Sequence, residues 1–253
     1  MTRTIGIDIG GTGIKAALVD VDSGELVSEK IKVGTPEGAK PADVAAVVAQ
    51  LVEQLDPHGS LPIGACFPAV IIDEVARSAA NVDKSWIGTN VGELFERATG
   101  RLVHVVNDAD AAGVAEVRFG AAKGVSGLVL VTTLGTGIGS ALIYNGMLIP
   151  NSELGHINLP GSRWQTAEKR AANSARLRRR LSWTRWAERL QVYYSTLEML
   201  FSPQLFVVGG GVSKDYAEFL PLLELTTPIV PAMHFNNAGI LGAAALAPFS
   251  HNK

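Results

Sequence analysis

The sequence predicts an α/β fold built from two similar lobes, and three observations carry that expectation. Short β-like runs alternate with amphipathic helical stretches along the 253 residues. The first runs are joined by tight turns, as in a meander. A Gly-rich turn also recurs: Gly11-Thr12-Gly13-Ile14 returns 124 residues later as Gly135-Thr136-Gly137-Ile138. At the same offset Ala17-Leu18 falls on Ala141-Leu142, and both copies are flanked by β-like runs, which points to an internal duplication. Two halves that each offer such a turn suggest a ligand held in a cleft.

The elements follow in order. Ile5–Ile9, Ile14–Val19 and Glu25–Val33 read as three strands, with Asp22-Ser23-Gly24 as a turn between the last two. Pro41 suits a helix start, and Val44, Val47, Val48, Leu51 and Leu55 then recur at helical spacing. Leu61–Phe67 and Leu102–Val106 read as strands, the second feeding Asn107-Asp108 and a helix over Ala109–Phe119. Residues 124–152 carry no charge and are long enough to span a bilayer. Their six glycines, three threonines and three serines favour buried strands joined by turns instead. Ser182 is placed to cap a helix that runs through Trp183, Trp186, Leu190, Tyr194 and Leu197 to Phe201, with Pro203 beyond it. Leu205–Val208 reads as a strand entering Gly209-Gly210-Gly211 and then a helix, and Ala238–Leu246 as a helix of small residues.

Composition bounds the function. Apolar residues make up 47% and charged residues 18%, a composition that buries a core. The net charge of −2 excludes a surface that binds polyanions everywhere, though not a local basic patch. A single cysteine, Cys66, excludes a disulfide framework or a cysteine-cluster metal site, and reads as a small core residue. With no signal-like segment before the first strand, the expectation is a cytoplasmic protein that does not enter a membrane.

Five groups of residues are candidates for chemistry. In Asp8-Ile9-Gly10-Gly11-Thr12-Gly13-Ile14-Lys15, the glycines let backbone N–H groups approach a phosphate, and Thr12 adds a hydroxyl. Asp8 beside them is placed to hold Mg²⁺ directly or through water. The plain alternative is a tight hairpin. Gly11-x-Gly13-x-x-Ala16 also fits a dinucleotide fingerprint, but that needs a helix after the glycines, where this sequence reads as a strand. Gly135-Thr136-Gly137-Ile138-Gly139 is the second such turn; one alone is weak evidence, but two in equivalent places of a duplicated chain suit a ligand with more than one phosphate. Gly209-Gly210-Gly211 offers either a flat surface for a nucleotide or only a crowded strand-to-helix turn. In Asn107-Asp108-Ala109-Asp110, where a strand becomes a helix, the plain reading is a helix cap that Asn or Asp would serve equally well, which spacing alone favours; the functional reading takes Asp108 as a general base. Glu153 and His156 can converge on neighbouring hydroxyls of a polyol, although a lone histidine is commonly structural.

Together Asp8-x-Gly-Gly-Thr12, Asn107-Asp108-Ala109, Leu134-Gly-Thr-Gly-x-Gly139 and Glu153-x-Gly-His156 resemble the ROK (repressor, open reading frame, kinase) family of sugar kinases. Ser78-Ala-Ala-Asn-Val-Asp-Lys-Ser-Trp86 and Phe201-Ser-Pro203 narrow the resemblance to the family's actinobacterial polyphosphate glucokinases, some of which also use ATP. The resemblance implies an actin-like (RNase H-like) fold of two lobes with a central cleft. It would place a small lobe at 1–107, joined by 238–253, and a large lobe at 108–237. It implies a homodimer that phosphorylates glucose at its 6-hydroxyl. Asp108 would be the base, and Asn81, Asn107, Asp108, Glu153 and His156 would hold the sugar. Asp8, Gly10, Gly11, Thr12, Gly13, Lys15, Thr133, Gly135, Thr136, Gly137 and Gly209 to Gly211 would serve phosphate or nucleotide, with Mg²⁺ near Asp8.

The chain departs from the family pattern in three places. It lacks the cysteines of the family's zinc site, so no zinc is expected. Ala69 stands where a Phe-Pro-Gly turn is common. The second acidic sugar ligand falls on Gln165 by gapless spacing and on Glu168 with a three-residue insertion; Glu168 is preferred because it keeps the distance to Leu181-Ser182-Trp183 normal.

Nine basic residues between Arg163 and Arg189 face only Glu168 and Glu188, a local charge of +7. Within it Arg170, Arg176, Arg178, Arg179 and Arg180 suit a polyphosphate chain, while a solvated helix face is the plainer reading. Without interleaved aromatics, nucleic acid is not expected. The rival functions are an ATP-only kinase for glucose or mannose and a sugar-responsive regulator. The regulator would need a DNA-binding segment before the first strand.

Overall fold

Ile5, Ile7 and Ile9 alternate with Gly6 and Asp8, so the first strand has one bulky face and one spare face. The computed structural model describes residues 2–57, 59–79, 82–161 and 165–248. Two compact units are present. The first contains the described residues up to Ala111 and those from Asn237 onward, and the second is Ala112–Asn236.

The strands of the first unit are β1 (Arg3–Ile9), β2 (Gly13–Asp20), β3 (Glu25–Leu26), β4 (Ile31–Gly34), β5 (Ile63–Phe67), β6 (Ile71–Ile72), β7 (Val75–Ala76) and β8 (Val103–Asn107). Its main sheet runs β3-β2-β1-β5-β8, with β4 also pairing β2, and β6 and β7 form a separate hairpin. β1 and β2 are antiparallel, whereas β1, β5 and β8 are mutually parallel. Helices α1 (Pro41–Leu55) and α2 (Val91–Thr99) supply Val44, Val48, Leu51 and Phe95 to one core, which also holds Ile5, Ile7, Ile9, Phe67 and Trp86. Helix α3 (Asp108–Phe119) starts directly from the end of β8.

The other face of β1 and β5 admits a helix at close range. Gly6 and Gly64 are register partners, and a Cβ on either would run into the main chain of the last helix at Ile240 and Ala243. That helix (Ala238–Ala245, α7 below) is built from small residues, and Gly242 in turn abuts the Ala111 carbonyl. Small residues on both sides bring the C-terminal segment against the N-terminal sheet.

In the second unit, β9 (Leu128–Leu134), β10 (Ile138–Tyr144), β11 (Met147–Ile149), β12 (Leu205–Gly209) and β13 (Ile229–Pro231) form one sheet in the order β11-β10-β9-β12-β13. Helices α4 (Ala167–Ala171), α5 (Asn173–Arg178) and α6 (Trp183–Phe201) precede β12, and α7 follows β13. Leu130, Tyr194, Trp186 and Phe206 anchor one core, and Val129, Val131, Ile143 and Val207 another.

Both sheets therefore share a plan: two successive antiparallel pairings, then two parallel strands on the far side of the first. The recurring turn joins equivalent strands, closed by Gly10 N–H to Gly13 O in one and Gly135 N–H to Gly137 O in the other, each 3.0 Å. Duplication explains the repeat in the sequence. The segment after Gly13 is a strand, so the dinucleotide geometry is not formed there.

Most expected elements are found within two residues of their expected ends. Glu25–Val33 is the exception, because it is two strands and not one. Ser28 turns its hydroxyl inward to accept the Leu18 N–H at 3.0 Å, a bond that a continuous strand would have made from its main chain. The uncharged stretch forms β9 to β11, and among the described residues no helix is long and apolar enough to cross a membrane.

Candidate active site

In the first unit, the parallel strands bring three groups to their C-terminal ends. The register pairs Asp8 with Cys66 and Cys66 with Val106, one residue before Asn107. This is the end of an α/β sheet where ligands bind. Asn107 caps α3: its Oδ1 accepts from Ala109 N at 2.8 Å and Asp110 N at 3.3 Å, while its Nδ2 donates to the Ala69 carbonyl at 3.0 Å. Capping thus falls to Asn107. Asp108, the first helical residue, is exposed, with Oδ1 accepting from Ala109 N at 2.8 Å. The helix N-terminus favours its negative charge. Asp110, two residues on, is buried.

Lys15 lies opposite Asp8 in the β1–β2 register, and its Nζ donates to Asp8 Oδ2 at 2.9 Å. The Cys66 thiol points at the other oxygen, 3.6 Å away. Burial pushes the Cys66 thiol well up, and the carboxylates of Asp8 and Asp108 add to this, so it stays a neutral core S–H. A carboxylate engaged on both oxygens fits Mg²⁺ only where water and substrate phosphates complete most of the shell. No cluster of three or more His, Cys, Asp or Glu that could hold a metal is found among the described residues. Beside Asp8, Gly11 and Thr12 are exposed, and Thr35 Oγ1 donates to the Gly10 carbonyl at 2.6 Å.

In the second unit, Glu153, His156 and Glu168 come together. His156 Nδ1 is 3.8 Å from Glu153 Oε2, and its Nε2 is 3.7 Å from Glu168 Oε1. The segment that presents them is locked to β10. Ser140 Oγ donates to the Ser152 carbonyl at 2.7 Å and accepts from Leu154 N at 3.0 Å, and Gly155 lies so near the Ile138 carbonyl that a Cβ would clash. Gln165 points elsewhere, with its Oε1 3.5 Å from Arg179 Nη2. Asn81 lies outside the described residues.

Glu168 also reaches the second Gly-rich turn, since a Cβ on Gly137 would fall 2.6 Å from Glu168 Oε2. Ser174 at the start of α5 holds that turn by donating from N to the Gly135 carbonyl at 3.1 Å and from Oγ to the Thr136 carbonyl at 2.6 Å. With these carbonyls occupied and the Gly135 N–H spent on Gly137 O, the turn is left to offer the N–H groups of Thr136 and Gly137. Gly209 pairs with Thr133, and Gly210, at φ +86°, is pressed against the main chain of Leu134. Crowding alone explains Gly210, whereas Gly211 has open space where a Cβ would be.

Burial pushes the Glu153 carboxyl above its usual range; His156 opposes this and Glu168 reinforces it. A carboxyl with a raised folded pKa favours folding when protonated, and that contribution is lost as pH rises through the folded value. Glu153→Gln is therefore expected to melt above the wild type at pH 7. The gap should close as pH falls below the ordinary value of 4.5, which thermal melts at the two extremes would measure.

The basic residues divide into two sets. Arg176 stacks on Trp183, its guanidinium carbon 3.8 Å from the ring centroid, and donates from Nε to Asn173 Oδ1 at 3.0 Å. Arg178, Arg179 and Arg180 are exposed at the end of α5, and Arg170 is half-buried. Sequence reasoning left Arg185 and Arg189 out of the named patch and missed the Ser174 anchor. The spacing of the two arginines, four apart on one helix face, was the available signal.

The ROK family profile matches residues 4–170. A polyphosphate glucokinase of Mycobacterium tuberculosis is 46% identical over 240 residues, covering 94% of this chain and 89% of that protein. The crystal structure of an inorganic polyphosphate/ATP-glucomannokinase from Arthrobacter sp. strain KM has a TM-score of 0.90 and 51% identity, covering 96% of this chain and 97% of that one. A ROK family glucokinase from Streptomyces griseus, solved with glucose and AMPPNP, has a TM-score of 0.80 and 25% identity, covering 97% and 99%.

Proposed function

The chain belongs to the ROK family, and from that premise we propose that it phosphorylates the 6-hydroxyl of glucose with inorganic polyphosphate, and with ATP as a second donor. The fold is the actin-like α/β fold of these sugar kinases. One observation supports the chemistry above others. Glu168 abuts both His156 and Gly137, so acceptors for sugar hydroxyls adjoin a turn suited to phosphate.

In this reading Asn107, Glu153, His156 and Glu168 orient the sugar, Asn81 being assigned by resemblance alone. Asp108 accepts the proton of the 6-hydroxyl as that oxygen bonds to the terminal phosphorus. The bond from phosphorus to the rest of the donor breaks, leaving a polyphosphate one unit shorter, or ADP from ATP. The turns at Gly10–Gly13 and Gly135–Gly137, with Thr133 and Gly209–Gly211, receive the phosphates. Lys15 holds Asp8 in place and lends positive charge beside it. Mg²⁺, held near Asp8 mainly through water and phosphate oxygens, would neutralise charge on the transferred group. The protein is proposed to act in the cytoplasm as a homodimer.

Glucose 6-phosphate formation, measured with Mg²⁺ and either polyphosphate or ATP at matched phosphoryl concentration, tests the donor. Activity with polyphosphate that weakens steeply with salt is the expected result. Activity with ATP alone would refute the polyphosphate assignment and leave the kinase.

A further inference from the structure

Ser140, the third residue of β10, is buried, so its hydroxyl must find its hydrogen bonds inside the protein. The strand pairing that would cover this part of β10 stops short of it. β11 pairs with β10 from Tyr144 to Leu142, whose partner is Ile149; continuing the register would set Pro150 against Ala141 and Asn151 against Ser140. Proline has no N–H for a ladder, and Asn151 turns the chain away at φ +61°. A side chain takes over where the ladder ends: Ser152 Oγ donates to the Ser140 carbonyl at 2.9 Å.

In return, Ser140 Oγ donates to the Ser152 carbonyl at 2.7 Å and accepts from Leu154 N at 3.0 Å. These two groups belong to the peptides on either side of Glu153, so one buried hydroxyl fixes the main chain of that residue from both ends. The two serine oxygens lie 3.2 Å apart, each having given its proton to the other residue's carbonyl. The Glu153 carbonyl in turn accepts from His156 N at 3.0 Å. Glu153 itself sits at φ −114° and ψ 52°, outside helix and strand, so its place comes from these bonds and not from a regular element.

Resting on the reading of Glu153 as a sugar ligand, we propose that Ser140 is a positioning residue for glucose: its hydroxyl sets the direction in which the Glu153 carboxylate meets the sugar. A carboxylate that accepts from sugar hydroxyls binds them well when its oxygens are already in place, because ordering them on binding costs conformational entropy. Removing the hydroxyl takes the partner from the Ser152 carbonyl and the Leu154 N–H. Both peptides are then free to turn, and with them Glu153 and the 3₁₀ turn Leu154–His156. The Gly135–Gly137 turn is held separately, by Ser174, so donor binding stands apart from this clamp.

The test is glucose affinity by calorimetry without a donor, with donor KM at saturating glucose and the melting temperature measured alongside. Ser140→Ala should weaken glucose binding roughly tenfold and leave the donor KM within about twofold of the wild type. Ser152→Ala removes the neighbouring hydroxyl but keeps both peptides on Ser140, so its glucose affinity should stay within about twofold. Ser140→Cys, similar in size but far weaker in hydrogen bonding, should behave like Ser140→Ala and keeps the test valid if that variant misfolds. An equal loss of glucose affinity in Ser140→Ala and Ser152→Ala, or a matching rise in donor KM, would reduce the effect to general loosening and overturn the assignment. Unchanged glucose affinity in the folded Ser140 variants, where Glu153→Gln does weaken it, would overturn it as well. A Glu153→Gln enzyme that binds glucose as tightly as the wild type would instead overturn the sugar reading on which the proposal rests.

Discussion

Asp108→Asn is expected to lower turnover by roughly 10²- to 10⁴-fold, the usual worth of a general base. Its effect on glucose affinity, read by calorimetry, should be far smaller. The structure makes this substitution informative because the cap of α3 is made by Asn107 and not by Asp108. An exposed carboxylate at the first helical position can be exchanged for an amide with little change in packing, so the melting temperature should hardly move. A folded Asp108→Asn enzyme with near-normal turnover would remove Asp108 from the mechanism. Loss of activity together with a large drop in melting temperature would mean that the residue acts through folding.

Gly64→Ala is expected to cost about 3 kcal/mol of stability, the upper end of ordinary overpacking. For a chain of this size that corresponds to a fall of about 6–12 °C in melting temperature. The new methyl would meet the main chain of α7 at Ala243, and neither backbone can yield like a flexible side chain. The damage should extend beyond stability. β5 lies between β1 and β8, the strands that carry Asp8 and Asn107, and α7 closes over Asp8 through Gly239, where a Cβ would lie 3.0 Å from the carboxyl carbon. Kinase activity should therefore fail at lower temperature than in the wild type. Gly34→Ala is the control, since a Cβ there meets nothing within 4 Å. Equal melting of the two variants would show that the Gly6–Gly64 seam is not a tight contact.

The motifs were legible because Gly-rich turns and helix caps are short and local. Gly10–Gly13, Asn107-Asp108 and Gly135–Gly137 were found by residue type and spacing, and each joins a strand to the next element. The choice between Gln165 and Glu168 was not legible, because spacing after an insertion is ambiguous. Chain folding settles where they point: Glu168 faces His156 and Gly137, and Gln165 faces Arg179. Helix α2 was missed since only nine residues carry it and just two of its large apolar side chains, Val91 and Phe95, are fully buried. Its caps were the available signs: Asn90 at the start, bound by Glu93 N at 3.0 Å, and Gly100 in the left-handed conformation at the end.

The sequence by itself determined the α/β class, the duplication, the two Gly-rich turns and the local excess of arginine. All of these rest on periodicity, repetition or composition, which are properties of neighbours along the chain. Only the tertiary structure decided that Asn107 and not Asp108 caps α3, that Arg176 is bound to an indole, and that Arg189 reaches the Arg170 carbonyl. The first turns on local backbone geometry that residue type leaves open between two neighbours, and the others on which side chains separate segments bring within a few ångströms; one-dimensional spacing records neither.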